Sequence, residues 1–170
     1  MTGEPFLIGD NMNKTVKFMC EVAISVAVGI VLDYISNLYS QFIFAAGGSI
    51  GLAMIAIFLM SYRWGLKGGL VTGLLIGVVQ TLYGAYFVHP IQIFLDYYGA
   101  YTVVGFSGLF ANKIKQAVSL KQKSWLIVGS IFVGVILRFL CAYCSGVIFF
   151  ADWADPRLGP ALYSIVYNAS

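Results

Sequence analysis

Long apolar runs with few charges are the feature that most limits what this chain can fold into. An α-helix rises 1.5 Å per residue, so roughly 20 apolar residues cross the hydrocarbon core of a bilayer. Only 10% of the residues are charged, whereas a soluble domain carries about 25%. So few charges could not cover a water-facing surface. The sequence therefore predicts an all-α integral membrane protein whose 170 residues form one transmembrane domain.

Hydropathy predicts five complete spans, at residues 15–37, 42–61, 66–88, 92–111 and 126–150. A further apolar stretch begins near residue 159 and holds about three helical turns, too few to cross a bilayer. The sequence therefore either stops within a longer protein or ends in a partial helix, and we expect the former.

Basic residues occur in alternate connections between these spans. They precede span one, join spans two and three, and join spans four and five, whereas the other connections hold only Arg157. Because basic connections stay in the cytoplasm, we expect a multi-pass protein of the cell membrane with a cytoplasmic N-terminus. The basic residues in question are Lys14, Lys17, Arg63, Lys67, Lys113, Lys115, Lys121 and Lys123.

Catalytic motifs are missing from the sequence. It has no G-x-x-x-x-G-K-[ST] phosphate loop and no H-E-x-x-H zinc motif, and the lone His89 precedes a proline in a predicted outer loop. Cys141 and Cys144 form a C-x-x-C pair inside an apolar span, which we interpret as packed thiols rather than a metal or redox site. We therefore expect no enzyme, no cofactor, no metal and no nucleic-acid partner.

Small residues recur at four-residue spacing in two spans. Span three carries a stripe of four glycines, which favours close packing against a neighbouring helix rather than a ligand role. Span one carries Ala23 and Ala27 at the same spacing, and this strip fits either internal packing or a partner helix. The four glycines are Gly65, Gly69, Gly73 and Gly77.

Charges inside membrane spans are expensive and are therefore functional candidates. Glu21 lies within about two turns of the cytoplasmic end of span one, where snorkelling to the interface accounts for it. Asp33, near the outer end of the same span, is also expected to reach water. Asp96 and Arg138 lie at comparable depths in spans four and five, so they could form an ion pair with each other.

Many aromatic residues surround Asp96 in the predicted bundle. A carboxylate beside aromatic faces is how proteins hold an organic cation, because the rings attract positive charge and the carboxylate accepts N–H bonds. Some of these rings belong to the interfacial aromatic belt, so a structural membrane protein remains the alternative. The aromatic residues are Tyr83, Tyr86, Tyr97, Tyr98, Tyr101, Phe149, Phe150, Trp153, Tyr163 and Tyr167, with Asn168 nearby.

Five segments in the same order resemble the thiamine-specific substrate-binding (S) component of energy-coupling factor (ECF) transporters. They read YRWGLKGGLVTGLLIGVVQ (62–80), HPIQIFLDY (89–97), LRF (137–139), SGVIFF (145–150) and YSIVYN (163–168). The resemblance implies a six-transmembrane-helix S-component bundle, with the sixth helix largely absent from this sequence. It also implies capture of thiamine outside the cell and its delivery on a transmembrane coupling subunit driven by two ATPase subunits. Ala23 and Ala27 match the family's alanine strip for that coupling subunit.

The resemblance also implies a set of substrate-binding residues. Asp96 corresponds to the acidic residue that binds the aminopyrimidine, and Ala142 stands where the family has a ligand-contacting histidine. That departure keeps open an S component for another aminopyrimidine or small vitamin precursor. The implied site consists of Asp96, Tyr97, Tyr86, Phe150, Tyr163 and Asn168, and we add Trp153 from the aromatic cluster.

Overall fold

The computed structural model describes residues 13–43, 51–83, 88–151 and 157–169. All regular structure in these ranges is helical, as the sequence predicts. We number the helices α1 (Lys14–Ile43), α2 (Ala53–Tyr83), α3 (90–116), α4 (Leu120–Phe149) and α5 (Gly159–Ala169). In the described residues, α1, α2 and α4 are long and apolar enough to cross a membrane. The protein is therefore an all-helical membrane protein, and the helix predicted near residue 159 is present.

Helix α2 folds back on itself at Gly65. This glycine has φ 72° and ψ −159°, outside the helical range. The Asp33 carboxylate accepts from the backbone N–H of Ala53 and from the side chain of Gln80, which are 27 positions apart in the chain. A straight helix would hold those two residues about 40 Å apart. Two antiparallel arms therefore meet at Gly65, which lies between predicted spans two and three.

The bounds of helices α1 and α2 differ from the predicted ends of spans one and two. Helix α1 continues to Ile43 rather than ending near residue 37, and α2 begins at Ala53 rather than near residue 42. Residues 37–41 include the polar Asn37, Ser40 and Gln41 but neither glycine nor proline, so nothing in their backbone chemistry ends the helix there. Hydropathy predicts the end of a span where polar residues become frequent, but polar side chains alone do not end a helix.

The second arm of α2 packs closely against α3. Gly73 lies against the carbonyl of Tyr101, and a Cβ at Gly77 would lie 2.6 Å from the carbonyl oxygen of Tyr97. Helices in a membrane gain no hydrophobic energy from each other, so close backbone approach of this kind is what holds them together. The packing predicted for the glycine stripe is therefore confirmed at Gly69, Gly73 and Gly77, but it is wrong for Gly65, where a Cβ would meet nothing within 4 Å.

Helix α3 changes its winding along its length. It begins as α-helix, becomes a π-helix over Phe94–Gly99, returns to α-helix, and tightens to a 3₁₀ helix over Gly105–Phe110. A π segment admits an extra residue per turn and is often found at functional sites. The predicted span 92–111 lies within this helix, and Asp96 lies in its π segment.

Helix α4 runs antiparallel to α3. At one end the rings of His89 and Phe149 stack with centroids 5.2 Å apart. Toward the other end the Arg138 guanidinium lies 4.8 Å from the ring centre of Tyr101. These contacts set the register in which α4 faces Asp96.

Asp33 is buried, with only 4% of its surface exposed, so the expectation that it reaches water is wrong. Gln80 donates to its Oδ2 at 2.5 Å and also to the Tyr101 hydroxyl at 3.1 Å. The carboxylate is thus satisfied by an amide and by the first backbone N–H of α2. This network ties α1 to α2 and α3 inside the bundle.

Candidate substrate-binding site

Asp96 is half-buried on the π segment of α3, and Gln92 holds its carboxylate from one side. The Gln92 side chain is 2% exposed and donates Nε2–H to Asp96 Oδ2 at 2.6 Å. The amide oxygen of Gln92 in turn accepts from the backbone N–H of Val88 at 3.4 Å. One carboxylate oxygen is therefore occupied by a fixed amide, and its orientation is set by a hydrogen-bonded neighbour.

Arg138 does not neutralise Asp96, so the ion pair considered from sequence is not formed. Its guanidinium lies over the Tyr101 ring instead. Within the described residues, the ion pair that the structure contains joins Glu21 to Arg63, where Trp64 Nε1 also donates to Glu21 at 2.6 Å. Glu21 is thus held by α2 rather than by solvent alone. No cationic side chain among the described residues pairs with the Asp96 carboxylate, although an unpaired carboxylate is costly in a membrane.

Helix α4 faces Asp96 with Ser145 and Cys141. Ser145 is 1% exposed and its hydroxyl interacts electrostatically with the carboxylate, but it completes no hydrogen bond with a described group. Cys141 Sγ lies 3.9 Å from the Cβ position of Gly99, on the turn that follows Asp96. This face of α4 is therefore polar where it meets the carboxylate.

Helix α5 packs on α4 directly beside Ser145. The next residue, Gly146, lies against Ser164 and within 3.5 Å of Asn168 Nδ2, measured from its Cβ position. Ser164 donates to the carbonyl of Tyr143 at 3.2 Å, and Asn168 donates to the carbonyl of Ser164 at 2.9 Å. Asp96 and Asn168 thus approach the same short segment of α4.

The predicted aromatic residues are distributed around this meeting point. Phe150 is half-buried at the end of α4, and its backbone N–H donates to the carbonyl of Gly146 at 3.2 Å. Tyr163 is half-buried on α5 and stacks on Tyr167 with centroids 6.1 Å apart. Tyr97 follows Asp96 and is half-buried, with its carbonyl against α2. The predicted site residues Tyr86 and Trp153 lie outside the described residues.

Gln92 and Ser145 are site residues that the sequence analysis did not single out. Gln92 precedes Asp96 by four positions on a helix, a spacing at which an amide and a carboxylate meet, so this signal was present in the sequence. Ser145 had no such signal, because its proximity to Asp96 depends on the register of α4 against α3. Ala142 is half-buried on α4, one turn before Gly146, and offers only a methyl group.

The alanine pair of α1 lies on the outside of the bundle. Ala23 and Ala27 are both exposed, whereas Val22 and Val26 on the adjoining face are buried in the core. The strip therefore does not serve packing within the described part of the chain.

Comparisons with known proteins identify the family of this chain. Residues 19–170 match the family described as Thiamine transporter protein. The chain is 40% identical to the thiamine transporter ThiT of Bacillus subtilis (strain 168) over 164 residues, which cover 94% of this chain and 84% of that protein. It is 27% identical to ThiT of Lacticaseibacillus paracasei over 164 residues, covering 92% of this chain and 79% of that protein.

A solved structure of a thiamine transporter has a similar fold. ThiT from Listeria monocytogenes superposes with a TM-score of 0.81 at 31% identity, covering 92% of this chain and 85% of that chain. The chain therefore belongs to the thiamine transporter protein family.

Proposed function

We propose that this protein captures thiamine at the outer side of the cell membrane and delivers it inward as the S component of an ATP-driven ECF transporter. The observation that carries the proposal is the Asp96 carboxylate, which lies within the helical bundle without a cationic partner among the described residues. Thiamine brings a positive charge and an amino group. A ligand of this kind would neutralise Asp96 and fill its free acceptor positions.

The remaining site residues take roles that follow from their chemistry. Asn168 and the tyrosines Tyr97 and Tyr163 supply hydrogen-bonding groups around the pyrimidine. Phe150 supplies an aromatic face for the thiazolium. We also assign aromatic contacts with the ligand to Tyr86 and Trp153, on the sequence prediction alone, since both lie outside the described residues.

The proposal also includes the number of transmembrane helices, the orientation of the chain in the membrane and its partner subunits. The chain forms one transmembrane domain of six helices, counting the two arms of α2 separately and with the sixth represented by α5. Its N-terminus is cytoplasmic, because the basic residues then lie inside. Ala23 and Ala27 contact the transmembrane coupling subunit, which works with two ATPase subunits, and their exposure supports this role.

A second ligand is favoured by one observation. Ala142 leaves a methyl group at a half-buried position of α4 where the resemblance implies a histidine. A pocket without that ring fits another aminopyrimidine or small vitamin precursor as well as thiamine. Competition binding with such compounds separates the two ligands.

Equilibrium binding of thiamine to the purified protein in detergent tests the proposal, with tryptophan fluorescence or calorimetry as readout. Asp96→Asn keeps the shape of the side chain and removes its charge, so we expect affinity to fall by roughly 10- to 100-fold, as for loss of a charged hydrogen bond.

Asp33→Asn is the matched control, since it changes the other described carboxylate buried inside the bundle but not the proposed site. It should lower thermal stability and leave thiamine affinity unchanged. Absence of thiamine binding to the unmodified protein would refute the assignment of thiamine as ligand.

A further inference from the structure

Ser145 carries a buried hydroxyl that completes no hydrogen bond with a described residue. The residue is 1% exposed, and its Oγ has no hydrogen-bond partner among the described groups. Ser130, about four turns earlier on α4, is equally buried. Its hydroxyl, however, forms hydrogen bonds with the Tyr62 hydroxyl at 2.8 Å and with the carbonyl of Ile127 at 2.7 Å. Buried polar groups without partners are uncommon and call for an explanation.

The position of Ser145 supplies that explanation. Cys141, one turn before Ser145 on α4, lies 3.9 Å from the Cβ position of Gly99, so Ser145 faces the turn of α3 that carries Asp96. The Ser145 hydroxyl interacts with the Asp96 carboxylate, whose Oδ2 is already occupied by Gln92. The other carboxylate oxygen is an acceptor, and the hydroxyl next to it is available as a donor. Together they present an acceptor and a donor side by side on facing helices.

An amino group next to a ring nitrogen is the complement of this pair. The amino group donates to the carboxylate, and the neighbouring ring nitrogen accepts from the hydroxyl. An aminopyrimidine offers these two groups on one edge. A site that hydrogen-bonds such an edge discriminates against analogues that lack one of its groups, because a buried polar group is then left unpaired.

We propose that Ser145 is a ligand-contacting specificity residue that donates to the ring nitrogen adjacent to the amino group of the aminopyrimidine, while Gln92 orients Asp96 to accept from that amino group. The inference rests on the proposed function and adds to it the two ligand groups that the site recognises, the amino group and the adjacent ring nitrogen. Ser164 and Asn168 pack on Gly146, so α5 borders this contact.

A chemical double-mutant cycle tests the inference. Thiamine is compared with an analogue in which CH replaces the ring nitrogen next to the amino group, in the unmodified protein and in Ser145→Ala. We expect either change alone to weaken binding by about threefold to tenfold, the size of one neutral hydrogen bond. The second change should then add nothing, so that Ser145→Ala binds thiamine and the analogue equally.

A measurement without ligand separates binding from structure. Since the hydroxyl has no partner to lose, Ser145→Ala should unfold at the same temperature as the unmodified protein or higher. Ser107→Ala is the matched control, because Ser107 is 0% exposed and its Oγ is equally unpartnered, but it lies in the 3₁₀ segment of α3. That variant should leave thiamine affinity unchanged.

Two results distinguish failure of this inference from failure of the proposed function. If the unmodified protein binds thiamine and Asp96→Asn does not, but Ser145→Ala binds as tightly as the unmodified protein, the inference is overturned and the function stands. Equal binding of thiamine and the analogue by the unmodified protein overturns it as well, without requiring any variant to fold. Absence of thiamine binding to the unmodified protein overturns both.

Discussion

Adding one methyl group at Gly77 should loosen the contact between α2 and α3. The new Cβ would lie 2.6 Å from the carbonyl oxygen of Tyr97 and 3.1 Å from the Cα of Tyr98, whereas ordinary contacts of a Cβ lie at 3.4–4 Å. Both atoms belong to the backbone, so no side-chain rotation relieves the overlap. Helix α3 must move away along the segment that carries Asp96.

The expected size follows from the cost of overpacking. Extra methyl groups in well-packed interiors cost about 1–3 kcal/mol. For a chain of this size each kcal/mol lowers the unfolding temperature by roughly 2–4 °C, taking soluble proteins as the scale. We therefore expect Gly77→Ala to unfold roughly 2–12 °C below the unmodified protein in detergent. Thiamine affinity should fall too, because the displaced segment includes the residue next to Asp96.

Gly129→Ala provides the matched control. Gly129 lies within helix α4, and a Cβ there meets nothing within 4 Å. Replacing a helical glycine by alanine without a clash stabilises by about 0.5–1 kcal/mol. The control should therefore unfold at the same temperature or slightly higher. If Gly77→Ala proves as stable as Gly129→Ala, the argument that bare backbone contact holds α2 against α3 is refuted.

Two further substitutions probe the turn and the buried network. Gly65→Ala should destabilise by about 1–3 kcal/mol through backbone strain alone, because φ 72° with ψ −159° is a region that only glycine readily adopts and no atom lies within 4 Å of a new Cβ. Thermal unfolding equal to that of the unmodified protein would contradict this. Gln80→Leu leaves the buried Asp33 carboxylate and the Tyr101 hydroxyl short of a donor, so we expect a loss of about 1.5–3 kcal/mol by thermal unfolding. An unchanged unfolding temperature would mean that Asp33 finds another partner.

Sequence alone determined the class of protein and its family. The apolar runs required membrane helices, and the order of segments such as 89–97 predicted the thiamine transporter family that the comparisons confirm. The four-residue spacing of Gly73 and Gly77 also predicted close packing correctly, because a helix places such residues on one face whatever surrounds it. These properties depend on residue chemistry and on helix periodicity, both of which can be deduced from the sequence.

The partners of the intramembrane charges were decided only by tertiary structure. The similar depths of Arg138 and Asp96 within their predicted membrane spans suggested that the two could form an ion pair. The register of α4 against α3 places the guanidinium over Tyr101 instead. Asp33 looked free to reach water, yet folding of α2 at Gly65 brings Gln80 onto it.

The unpaired hydroxyl of Ser145 beside Asp96 has the same origin. Such contacts join residues far apart in the chain, and their geometry depends on how each helix is rotated and displaced against the next. Helix periodicity fixes which residues share a face, but only packing between helices fixes which faces meet.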